Sequence, residues 1–317
     1  MVTDQVLQRL GLPAPPEALP APTVDAHTHL DATRDHSRLP VADNLRLAAA
    51  TGIDRVVQIG CDVPSSRWAV ELAAGNPQVI AAVAIHPNDA ARMSDDRLEK
   101  ELAIIESLAG AGPHVRAVGE TGLDFYRTRE PAGIARQHRS FARHIAIARQ
   151  RGHTLVIHDR DAHTEIAELL DAEGWPERVV FHCFSGDAGF ARRVLDRGAW
   201  LSFAGNITYR ANHGLRAALA LTPPDRVLIE TDAPYLTPLP HRGRPNASYL
   251  MAHTAAFVAA QLGLELDAAC RRFADNAAAA FGGTWGIPAA DAAAPGRCDP
   301  TDTGAARDTA GQVPSGA

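Results

Sequence analysis

The sequence predicts an α/β fold, a closed (β/α)8 TIM barrel. Three observations carry this: eight short β-branched runs, helical periodicity between them, and a length that one barrel fills. At 317 residues the chain is longer than a common single domain, but one barrel of this class needs about 250 residues. Hydrophobic residues make up 46% and charged residues 21%, a balance that supports a large core and excludes a disordered or fibrous chain. An open doubly wound sheet reads similarly, but neither the GxGxxG nor the P-loop glycine pattern occurs to support it.

In chain order, residues 1–22 are proline-rich, with VLQRL long enough for one helical turn, and form an expected N-terminal extension to a catalytic barrel over residues 23–285. TVDAH at 23–27 opens the barrel. RVVQIG from residue 55, VIAAVAIH from 79, VRAVGE from 115, HTLVIH from 153, RVVFH from 178, AWLSF from 199 and RVLIE from 226 complete the eight strands. Apolar residues at three- and four-residue spacing place helices over 95–108, 133–151 and 162–173. Residues 286–317 are mostly Ala, Gly, Pro, Asp, Ser and Thr, too little apolar surface to order a segment, so a flexible C-terminal tail is expected.

No apolar run approaches the roughly 20 residues that cross a bilayer, and no basic-then-apolar leader opens the chain. Cys61, Cys183, Cys270 and Cys298 show no CxxC spacing, so neither a disulfide framework nor a thiolate zinc site is indicated. These features predict a soluble, cytoplasmic protein with no membrane partner and no obligate protein partner. A formal charge of -6 argues against a broad basic surface coating duplex DNA, while a local positive cleft stays compatible with it.

The chemistry is concentrated where strands are expected to end. Asp25-Ala26-His27-Thr28-His29 puts two imidazoles on one side of an extended segment, spaced to chelate one metal. His86, Glu120, His158, His182 and Asp232 close five further strands. In a barrel, parallel strands deliver these ends to one face, so residues far apart in sequence converge. Nitrogen and oxygen donors without thiolate suit zinc, manganese, iron or magnesium. Six ligands exceed the needs of one catalytic ion. Two divalent cations, Mg2+, Mn2+ or Zn2+, bridged by Glu120 about 3.5–4 Å apart, are therefore expected. Some barrel hydrolases with an HxH first strand use a carboxylated lysine as the bridge; here the only lysine, Lys100, sits within a predicted helix.

VDAHTHLD, AIHP, VGETGLDFY, Gln137 with Phe141, VIHDR, FHCFSGD, LSFAGNIT, LIETDAPYL, RGRPN and NAAAAFG follow one another over about residues 24–282. In this order they resemble the blocks of the TatD family of metal-dependent deoxyribonucleases, within the metallo-dependent, amidohydrolase-like barrels. The resemblance implies that His27 and His29 hold a first metal, that Glu120 bridges, that His158 and His182 hold a second, and that Asp232 is both ligand and proton acceptor. Hydroxide generated at the metals would attack a DNA phosphodiester, at single-stranded 3' ends or at damaged sites. His86 and Arg160 are placed to hold phosphate, Arg160 through its planar fork. Arg242 and Arg244 are candidates to assist from the loop after the eighth strand, where RGRPN departs from the RNEP common in the family. Phe125, Tyr126, Phe184, Tyr209 and Tyr235 can stack on bases but are expected to serve packing first. The alternative is hydrolysis of an ester or amide bond, such as D-aminoacyl-tRNA deacylation. A metal-free binding barrel ranks last, because every ligand position is filled.

Overall fold

A computed structural model describes residues 3–286; of the tail expected over 286–317, all but Gly286 lies outside the described residues. Eight parallel strands form one sheet in sequential order: β1 (Thr23–Thr28), β2 (Ile53–Ile59), β3 (Val79–Val83), β4 (Val115–Asp124), β5 (Thr154–Arg160), β6 (Val179–Phe181), β7 (Trp200–Phe203) and β8 (Val227–Ile229). The three helices read from periodicity are present as Asp95–Leu108, Pro131–Arg151 and His163–Glu173. No helix among the described residues is long and apolar enough to cross a membrane.

Both faces of the strands are buried, as parallel sheets require. Val56, Val79, Leu155, Val179 and Leu201 pack with helix residues such as Leu98, Leu102 and Ile145. Their alternates Val57, Ile80, Val156, Val180 and Trp200 form a second cluster with Ala277 of the last helix and Phe281 at its C-terminal cap. Closure between β8 and β1 is made just past the end of β8: Asp232 N donates to His27 O at 2.9 Å and His29 N to Ala233 O at 3.0 Å. The buried Asp25 carboxylate reinforces it, accepting from Thr231 N at 2.9 Å and Thr231 Oγ1 at 2.7 Å. The seam that closes the barrel thus sets Asp232 beside the two histidines of β1.

Two expectations change in detail. Glu120 and His158 do not end their strands, since β4 continues to Asp124 and β5 to Arg160; His182, His86 and Asp232 lie beyond β6, β3 and β8. Register explains why Glu120 still enters the site. Val118 pairs with Leu155 and Thr121 with Ile157, so β4 spends one extra residue around Gly119-Glu120. β1 has the same irregularity between Asp25 and Thr28. Bulges of this kind re-aim side chains at barrel rims.

The N-terminal segment is also more than an appendage. Asp4–Arg9 is helical, Leu7 and Leu12 are buried with Tyr249 and Leu250, and Tyr249 Oη donates to Pro13 O at 2.7 Å.

Candidate metal centre

Glu120 stands at the middle of the converging side chains, and its two oxygens face different partners. Oε1 lies 3.8 Å from His27 Nε2 and 3.4 Å from His29 Nε2. Asp232 Oδ1 completes that side, 3.8 Å and 3.4 Å from the same two nitrogens. Oε2 lies 3.3 Å from His158 Nδ1 and 2.7 Å from His182 Nε2. All six residues predicted as ligands are therefore brought together.

The donor set fits metal. Atoms coordinated at about 2.1 Å in a tetrahedron stand about 3.4 Å from one another, and the spacings on the Oε1 side match that edge. His27, His29, Glu120 and His182 are buried, in three-residue groups with ligand atoms close enough to hold a cation. Their electrostatics ask for positive charge at the centre. Burial by itself would raise the Glu120 carboxyl, yet His182 and His86 hold it well below its usual range. Asp232 is likewise held down, against burial, by its hydrogen bond to His29 and by His182. Burial would lower His182, yet Glu120 lifts it to about 10. Bound protons or a cation can meet this demand.

His86 plays a different part. Its Nδ1 accepts from Asn88 N at 3.1 Å, capping the short helix that follows. An imidazole accepting at Nδ1 keeps its proton on Nε2, and Nε2 points toward Glu120 Oε2 at 3.8 Å. Burial pushes its pKa down to about 3, against the pull of Glu120, so the ring is a neutral N–H donor at neutral pH.

A cavity of 730 Å³ opens over the Oε2 side, and His86, Arg127, His158, Arg160, Asn206 and Asp232 are among its walls. Arg160 forms no ion pair with a described carboxylate; its guanidinium stacks 3.9 Å above the Tyr126 ring. Tyr126 and Tyr235 are 52% and 58% exposed, whereas Phe184 is buried. Arg244 faces away from this chemistry, donating to Gly11 O at 2.8 Å, and Arg242 stacks on Tyr209. The altered loop is anchored by Asn246, whose Nδ2 donates to Thr231 O at 3.0 Å and Tyr235 O at 2.6 Å, on either side of Asp232. Cys183 is no nucleophile, since burial and the nearby carboxylates raise its thiol well above the ordinary value.

Four site residues escaped sequence reasoning. Asp124 Oδ2 is 3.3 Å from His158 Nε2, Glu230 Oε1 is 3.4 Å from His182 Nδ1, and Cys61 Sγ is 3.7 Å from His29 Nδ1. Gln58 Oε1 accepts from Leu30 N at 2.8 Å, steadying the turn after His29. For Asp124 and Glu230 a signal existed, as each is an acid inside a quoted block. Cys61 and Gln58 carried none.

Residues 24–282 match the family described as TatD related DNase. The chain is 40% identical over 266 residues to the metal-dependent hydrolase TatD of Mycobacterium tuberculosis, covering 83% of this chain and 98% of that protein. It is 34% identical over 264 residues to the metal-dependent hydrolase YcfH of Escherichia coli, covering 81% and 95%. The fold is similar to that of YjjV, a TatD homologue of Escherichia coli, with a TM-score of 0.75 at 24% identity over 84% of this chain and 98% of that one. An organophosphorus hydrolase of Deinococcus radiodurans shares the fold more distantly, with a TM-score of 0.52 at 16% identity over 84% and 99%. With the barrel, the convergent ligands and the match from Val24 onward in agreement, the chain belongs to the TatD family and is a metal-dependent hydrolase.

Proposed function

We propose that the chain hydrolyses phosphodiester bonds of DNA, at single-stranded 3' ends or damaged sites, with two divalent cations held on either side of Glu120. The carrying observation is the division of Glu120, Oε1 toward His27 and His29 and Oε2 toward His158 and His182. The family's description as a DNase supports the substrate class. When bound, the cations, Mg2+, Mn2+ or Zn2+ by the nitrogen and oxygen donors, lower the pKa of water and neutralise phosphate charge.

The remaining steps belong to the chain. Asp232, kept ionised, accepts the proton of the attacking water. His86, kept neutral, donates a hydrogen bond from its Nε2–H to a phosphate oxygen and keeps its proton. Arg160 presents its fork from the cavity wall to the scissile or neighbouring phosphate.

The test is degradation of a short 3'-tailed single-stranded DNA, with abasic duplex, RNA and a simple ester beside it. With added magnesium or manganese, the DNA should be cleaved, EDTA should stop it, and Glu120→Gln should abolish it. Arg160→Ala should cripple DNA cleavage. A simple ester that is cleaved while DNA is untouched, with Arg160→Ala neutral, would establish the ester reading instead.

A further inference from the structure

We infer that Asp124 and Glu230 are positioning residues for the second cation position, and that they make His158 bind through Nδ1 and His182 through Nε2. The inference rests on the metal reading above and adds to it how the imidazoles are aimed.

The two histidine pairs are backed differently. On the Oε1 side, the carboxylates near His27 approach only its Nε2, leaving its buried Nδ1 without one, and His29 Nδ1 faces the thiol of Cys61. Their carboxylate, Asp232, is in the cluster itself. On the Oε2 side the carboxylates stand one layer out. His158 turns Nδ1 toward Glu120 and Nε2 toward Asp124. His182 does the reverse, with Nε2 toward Glu120 and Nδ1 3.4 Å from Glu230 Oε1, an ion-pair contact without hydrogen-bond alignment.

Both outer acids are themselves fixed. Asp124 Oδ1 accepts from Arg127 N at 2.8 Å and Oδ2 from Asn88 Nδ2 at 3.0 Å, while its own N–H donates to Gln137 Oε1 at 3.0 Å. Glu230 is fully buried; Oε1 accepts from Cys183 N at 2.7 Å and Oε2 from Ser202 Oγ at 2.5 Å. None of these donors neutralises the acids, so the remaining acceptor capacity is aimed at the rings. A carboxylate on the far nitrogen fixes the tautomer and ring orientation of a ligating histidine and raises its basicity. Placing this negative charge outside the cluster leaves the Oε2 side open to the cavity, where a phosphate can enter.

The experiment uses zinc as the probe, with affinities measured by chelator competition on the full chain. Long-range proton–nitrogen NMR of the zinc-loaded protein reads the ring nitrogens. Wild type should show His158 metallated at Nδ1 and protonated at Nε2, with His182 the opposite. Asp124→Asn and Glu230→Gln should each weaken one of the two zinc affinities by about 10–100-fold, leave the other unchanged, and perturb only the ring they face. Asp124→Asn added to His158→Ala should weaken binding no further. Ser202→Ala, which frees Glu230 while retaining its charge, should give a smaller loss at the same position as Glu230→Gln. Unchanged affinities and ring signals in the variants would overturn the inference, as would His158 bound through Nε2. A wild-type chain that takes up no zinc, manganese or magnesium would instead overturn the metal reading beneath it.

Discussion

Two histidines of one barrel differ only in what surrounds their rings, and that difference decides what each can do. His86, which caps the helix that follows it, keeps its proton on Nε2 and so can donate a hydrogen bond there. His86→Ala should therefore lower kcat/KM on DNA about tenfold or more without changing bound metal, measured by metal analysis beside kinetics; lost metal would make it a ligand. The other histidine, His144, has a structural role. Nε2 accepts from Ile85 N at 3.2 Å, and Nδ1 faces Ser140 O at 2.7 Å. Burial pushes its pKa down to about 4. In the unfolded chain it titrates near 6.5, so the unfolded state takes up a proton that the folded state refuses between these values. Stability therefore falls as pH drops through 6.5 toward 4, by up to roughly 3 kcal/mol from this group. Urea denaturation at pH 7.5 and pH 5 should show a drop about 2 kcal/mol smaller in His144→Gln than in wild type. Equal drops would contradict this.

At the level of elements, the site depends on how β4 lies against β5. Gly122 has φ +144°, and a Cβ there would collide with the carbonyl oxygen of His158. Gly122→Ala should destabilise the protein by roughly 2 kcal/mol or more, from backbone strain and overpacking together, and should weaken the cation position that His158 serves. Thermal melts with and without zinc check both. Chain order and strand existence were legible because β-branched runs and turns punctuate the sequence regularly. The extra residue at Gly119-Glu120 was not, because a bulge changes register without changing composition. The N-terminal helix shows the same limit: Leu7 and Leu12 look like isolated apolar residues until Tyr249 and Leu250, over 230 positions away, cover them. Leu7→Ala should cost about 2–5 kcal/mol, the range for emptying a buried leucine site; a loss below 0.5 kcal/mol would mark the segment as dispensable.

For the molecule as a whole, barrel closure and metal chemistry share one seam. The Asp25–Thr231 contacts and the backbone bonds of His27, His29 and Asp232 hold the first and last strands together, and the same residues line the cluster. That six side chains far apart in sequence would meet was readable because parallel strands send their ends to one face whatever lies between them. Their backing was signalled only as two further acids, Asp124 and Glu230, inside the VGETGLDFY and LIETDAPYL blocks; which rings those acids face depends on three-dimensional neighbours rather than on a spacing. Glu120 is proposed to divide two cations between two pairs of imidazoles. Anomalous diffraction from crystals soaked in manganese tests it most directly. Two peaks should flank Glu120, one beside His27, His29 and Asp232, the other beside His158 and His182. A single peak, or peaks that Glu120 does not touch, would contradict the account.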